Sequence, residues 1–101
     1  MIIITGTIDL KPDHRDEGVA LGCEHSERSR AEPGCISHDC YVAADNPNRI
    51  HFFERWSDGA AVKQHFAVPE SGAFVREISG LASAAPEISI YAAEAIEGAP
   101  F

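Results

Sequence analysis

The 101-residue chain is poor in positive charge: 8 Lys and Arg stand against 16 Asp and Glu, for a formal net charge of −8. No basic stripe runs along it to track a phosphate backbone, so nucleic acid is not expected as a partner. Long apolar runs are also missing. None approaches the ~18 residues of a membrane helix, so no membrane partner is expected either. The segment Met1-Ile2-Ile3-Ile4-Thr5-Gly6-Thr7 carries no basic leader and no long apolar core. It therefore does not read as a signal peptide, and a cytoplasmic location is expected. Cysteine is scarce: Cys23, Cys35 and Cys40 are odd in number and form no CxxC pair, unlike a disulfide framework. Phosphate loops, a nucleophile elbow and a dinucleotide fingerprint are absent, so no bound cofactor is expected. What remains is a chain 45% apolar, which suits one folded acidic domain over residues 1–101.

Breakers divide this domain into a core of about 2–93 and a tail at 95–101. Residues 2–10, rich in Ile and Thr, read as a strand. Asp13 is a candidate cap for a first helix over 13–31, weakened by Gly18 and Gly22, at about 1 kcal/mol each relative to Ala. Its buried stripe offers only Val19, Ala20, Leu21 and Cys23, so small side chains are expected to leave room beneath it. Residues 35–44 and 49–56 read as a hairpin across the Asp45-Asn46-Pro47-Asn48 turn. Two short helices, about 58–67 and 70–80, part at Pro69, and 87–94 forms a last strand. The order β-α-β-β-α-β is that of a ferredoxin-like α+β sandwich.

Strand side chains alternate between faces. The even positions are mostly apolar (Ile2, Ile4, Ile8, Leu10, Ile36, Val42, Ile50, Phe52, Trp56, Ile88, Ile90) and should meet the helices. His38, Cys40 and Glu54 intrude on that face, and Gly6 leaves a gap. A buried carboxylate is costly unless paired. One hairpin register sets Asp39 against Glu54, a like-charge clash. A one-residue shift instead sets His38 or Cys40 across from Glu54. The shifted register is preferred, and His38 beside Glu54 becomes the leading candidate site, with a structural His–Glu contact as the alternative. His65 and Arg76 on the later helices are further candidates, and Trp56 faces the core. No metal site is expected: His38 and Cys40 share a face, but two ligands fall short of the three or four that zinc takes.

The runs Arg30-Ala31-Glu32-Pro33-Gly34-Cys35-Ile36-Ser37, Phe52-Phe53-Glu54-Arg55-Trp56-Ser57-Asp58 and His65-Phe66 resemble the antibiotic biosynthesis monooxygenase family over about residues 2–93. The resemblance implies a homodimeric α/β barrel, two four-stranded antiparallel sheets packed together with helices outside. It implies cofactor-free oxidation of phenols or quinols by O₂. Haem-degrading relatives need an Asn on the first strand and a His on the last helix. Gly6 and Val75 or Arg76 stand at those places, so haem is not expected.

Two functions follow. In the first, an electron-rich phenol or hydroquinone loses its proton to His38 or Glu54. Trp56, Phe52, Cys40 and Gly6 line the substrate site, and Arg76 or His65 stabilises developing negative charge. In the second, the same fold binds a small aromatic ligand without consuming it, or serves as an accessory protein.

Overall fold

The computed structural model describes residues 1–98. The expected tail is therefore seen only in part, and residues 99–101 lie outside the described residues. Four strands, β1 (Ile2–Asp9), β2 (Cys35–Ala43), β3 (Asn46–Trp56) and β4 (Glu87–Ala92), form one antiparallel sheet in the order β2-β3-β1-β4. Three helices, α1 (Arg15–Ser29), α2 (Gly59–Ala67) and α3 (Pro69–Leu81), pack on one face of it. The ferredoxin-like α+β sandwich expected from element order is the observed architecture. No described helix is long and apolar enough to cross a membrane.

The hairpin adopts the shifted register. His38 pairs with Glu54 and Asp39 with Phe53, so the two carboxylates are not opposed. The even face is the helix face, with Ile4, Ile8, Ile50, Phe52, Glu54 and Trp56 all buried. Four even positions depart from the expectation, one of them Val42, 39% exposed near the end of edge strand β2. Ile36 is 50% exposed because a bulge between Cys35 and Ser37 shifts the phase there. The same bulge puts Cys35 opposite Trp56, where it packs on the core. Ile88 and Ile90 are exposed because β4 is an edge strand beyond the reach of the helices.

The buried core falls into two clusters. One gathers Ile8, Leu10, Ile50, Phe52 and Ile78; the other gathers Ile4, Trp56, Ala61 and Val62. Along β3 the residue between Phe52 of the first and Trp56 of the second, on the same face, is Glu54. The sheet thus carries a polar row between two apolar patches.

The first helix corrects the sequence reading most. Asp13 caps nothing; it lies inside a 3-10 turn at Pro12–His14 that precedes α1 without a side-chain cap. Ala20 and Cys23 are exposed, and the buried positions are Gly18, Gly22, His25, Ser26 and Ser29. Their spacing is helical, but the stripe is small and polar rather than apolar. Nor does it leave space beneath. A Cβ on Gly22 would lie 2.9 Å from Cys40 Sγ and 3.1 Å from the Phe52 ring, so the helix backbone rests directly on the sheet.

Gly22→Val should therefore destabilise the fold by about 1–3 kcal/mol through overpacking, despite valine's better helix propensity. Gly80→Ala, where an added Cβ meets nothing within 4 Å, should be neutral or stabilising. Urea denaturation of the two variants checks both signs.

Candidate active site

Glu54 is the hub of the polar row. Its Oε1 accepts a hydrogen bond from Trp56 Nε1–H at 3.0 Å, lies 3.3 Å from His38 Nε2 and 3.9 Å from His65 Nε2. The His38 contact is close enough for an ion pair but is not aligned as a hydrogen bond, so Nε2 remains a buried polar atom without a hydrogen-bond partner among the described residues. Strand pairing brings His38 there. His65 arrives on α2, whose first turn is capped by the Asp58 carboxylate accepting from Ala61 N–H at 2.9 Å.

Each imidazole is held from behind. His38 Nδ1 lies 2.8 Å from Ser26 Oγ, and His65 Nδ1 lies 2.8 Å from Glu32 Oε1. The third histidine, His25, comes from the small-residue face of α1. Arg28 donates to its Nδ1 at 2.9 Å, and its ring stacks on Phe74 with centroids 4.1 Å apart. The three imidazoles are all buried, and one ring nitrogen of each lies within 4.8 Å of one from each of the others. Burial first, then His38, His65 and Arg28 nearby, push the His25 pKa down from 6.5 to about 3. His25 is a neutral imidazole.

Beside this cluster a cavity of about 170 Å³ opens between the sheet and the α2–α3 pair. Gly6, Phe52, Phe74, Val75 and Ile88 give it apolar walls, and Glu54, His65, His25 and Ser71 give it polar points. Gly6 matters because a side chain there would fill this space from the sheet side. Phe66, Val75 and Ile88, each about half exposed, form an apolar rim.

The expected site residues divide in three. Glu54, His65, Phe52 and Gly6 line the cavity. His38 and Trp56 stand behind Glu54, fully buried, and touch its carboxylate rather than the open space. Cys40 and Arg76 are elsewhere. Cys40 packs under α1, where burial and then the adjacent Cys23 push its thiol up to about 12, so it stays protonated. Arg76 is on the exposed side of α3 with its guanidinium near Gly72. The sequence reading missed His25, Ser26, Arg28, Glu32 and Ser71. The spacing of Gly18, Gly22, His25, Ser26 and Ser29 was the available signal, and a search for apolar stripes passes over it.

The sequence model of the family described as antibiotic biosynthesis monooxygenase matches residues 1–77. The chain belongs to the antibiotic biosynthesis monooxygenase family. An uncharacterized protein of Synechocystis sp. is 40% identical over 90 residues, 89% of this chain and 61% of that protein. The chain thus spans less than two thirds of that relative. YcnE of Bacillus subtilis is 31% identical over 84 residues, 83% of this chain and 88% of YcnE. A crystal structure titled antibiotic biosynthesis monooxygenase superposes with a TM-score of 0.86 at 26% identity, covering 94% of this chain and all of that one (100%). The family membership and the structural match together show the fold.

The neutral His25 has a consequence for stability. Unfolded, its imidazole titrates near 6.5; in the fold it holds out to about 3. Between those values the unfolded chain binds a proton that the fold does not. Its contribution is therefore fully present above the unfolded pKa and falls with pH through that window, by up to about 1.4 kcal/mol per pH unit. His25→Phe, which keeps a ring against Phe74, should flatten this slope. Urea denaturation at pH 7 and pH 5 measures the difference.

Proposed function

We propose that this chain is a cofactor-independent monooxygenase acting on a single-ring hydroquinone or similarly electron-rich phenol. The observation that carries the reading is the Glu54 carboxylate, presented at the wall of an apolar cavity and backed by Trp56, His38 and His65. The cavity volume of about 170 Å³ favours one aromatic ring, since roughly 150 Å³ suffices for benzene.

Phe52 and Phe74, set edge to face with centroids 5.8 Å apart, wall the ring and exclude water. Glu54 takes the hydroxyl proton, and the resulting phenolate reduces O₂ by one electron. Superoxide and the ring radical then combine at an adjacent ring carbon. His65, its Nδ1–H held by Glu32, acts in its imidazolium form and donates from Nε2 to the developing negative charge. Glu54 returns its proton to the distal oxygen of the ring peroxide, and as the O–O bond breaks the ring C–H proton leaves with the hydroxide as water, giving a new carbonyl. One oxygen atom enters the ring and the other leaves as water. Hydroquinone plus O₂ gives hydroxyquinone plus water, and the substrate itself supplies every electron.

The position of His38 makes it a positioning residue for Glu54 rather than the base. Arg76, outside the cavity, has no part in this scheme, and His65 takes the role of anion stabiliser.

The proposed working unit is a homodimer that closes the open sheet face into a barrel. Tyr41 and Tyr91, each more than half exposed, and half-buried Phe53 lie on the face that no described helix covers. A Tyr41→Glu/Tyr91→Glu variant should run as a monomer by light scattering where the wild type runs as a dimer. A monomeric wild type overturns this part of the proposal.

Oxygen uptake with a panel of substituted hydroquinones tests the reaction. Glu54→Gln should lower kcat by about 10²–10⁴-fold, and His65→Phe by about 10²–10³-fold. A wild-type rate no greater than buffer sinks the reading. If a thermal-shift screen then finds a phenol that binds and is not consumed in air, the chain is a binding protein of the same fold.

A further inference from the structure

Three buried histidines crowd together beside the Glu54 carboxylate. His25, His38 and His65 come from α1, β2 and α2, and each has one ring nitrogen occupied from behind by Arg28, Ser26 or Glu32. The nitrogen left to each is Nε2. One of these, on His38, is a fully buried polar atom with no hydrogen-bond partner among the described residues. Burying such an atom is costly, and a native fold keeps one where something else can satisfy it.

We propose that His25, His38 and His65, with Glu54 as fourth donor, bind a divalent first-row transition ion of the Zn²⁺ or Cu²⁺ type. Imidazole-rich sites select these ions over Mg²⁺ and Ca²⁺, which need more oxygen donors. The spacing suits them. A tetrahedral ion with bonds of about 2.1 Å sets its donors about 3.4 Å apart. Glu54 Oε1 stands at 3.3 Å from His38 Nε2 and 3.9 Å from His65 Nε2. The histidine nitrogens, at most 4.8 Å apart, close to that spacing if each moves inward by about 0.8 Å.

The backing groups sort the three ligands. Glu32 accepts from His65 Nδ1–H, which leaves the Nε2 lone pair free; this is the carboxylate–histidine arrangement that strengthens metal ligands. Ser26 serves His38 in either direction, since a hydroxyl both donates and accepts. His25 is the gate. Arg28 can only donate, so in the ion-free state His25 Nδ1 accepts and its proton sits on Nε2. Ion binding requires that proton to leave Nε2 and Arg28 to release Nδ1. Arg28 has an alternative partner in Ser71 Oγ, already 3.4 Å away.

The inference goes beyond the oxygenase reading, and its test uses neither phenol nor oxygen uptake, so either can fail alone. If both hold, the ion competes with the phenol proton for Glu54 and inhibits the reaction. Chelator-treated protein is titrated with ZnCl₂ by calorimetry, and the Co²⁺ form of the wild type is examined by visible absorption. One equivalent and the intense bands of tetrahedral Co²⁺ are expected. His38→Ala and His65→Ala should bind at least tenfold more weakly, and Glu32→Gln about 10–100-fold more weakly. Arg28→Gln, whose amide oxygen can accept from Nδ1–H, should bind more tightly. His14→Ala, at a half-buried histidine outside the cluster, should change nothing. Circular dichroism of each metal-free variant separates lost ligands from lost fold. Absence of wild-type binding and of the Co²⁺ bands overturns the proposal, as does affinity that His38→Ala and His65→Ala leave unchanged in folded protein. Unaltered or weaker binding in Arg28→Gln overturns the role given to His25.

Discussion

A single carboxylate set between two apolar clusters governs this molecule. Leaving the Glu54 charge unpaired there would cost several kcal/mol, a large share of the stability of a domain this size. The surrounding sequence is arranged against that cost. The indole N–H of Trp56 meets Oε1 from two residues along the same strand. The hairpin register sets His38 across from it. The α2 helix lowers His65 onto the same oxygen, and Glu32 in the turn after α1 steadies that histidine. Groups from α1, β2, β3 and α2 thus converge on one atom or on its immediate partners.

The same constraint explains the face that α1 turns to the sheet. A stripe of Leu and Val would bury more apolar area, but it would leave the imidazoles without partners. Ser26 and the glycines admit a close approach and a hydroxyl where His38 needs one. His25 then fills the space between that helix and Phe74. The helix gives up apolar burial and is held by contact with the sheet.

Much of the architecture is legible in the sequence because alternation and turn chemistry are strong signals. Ile4, Ile8, Ile50, Phe52 and Trp56 share a parity and share a face. The Asp39–Glu54 clash excludes one hairpin register, and of the two shifted ones the fold adopts that with His38 across from Glu54. Local irregularities are not legible in that way. The bulge at Ile36 reverses parity for one residue without any marker such as glycine, and β4 keeps its alternation though no helix reaches it. The site is half legible for a related reason. Glu54 and His38 stand out as polar residues in an apolar row. His25, Arg28 and Glu32 lie in a polar helix and its following turn, where charge is ordinarily read as solvated surface. Only the packing of three elements shows which way they face.

The contact of α1 with the sheet at Gly22 sets a mechanical asymmetry. With Cys40, Phe52 and Ile50 all crowding that backbone, α1 can neither sink nor slide along its axis without collision. It is the anvil side of the cavity. The opposite wall, α2 and α3 joined through Val68–Pro69, carries half-exposed Phe66 and Val75 at the rim and meets no such block at Gly72, where the nearest atom an added Cβ would meet is the end of the flexible Arg76 side chain. Diversification of ligand size among chains of this architecture would then fall on α3 and its rim, while the polar cluster beneath α1 stays in fixed register with the sheet.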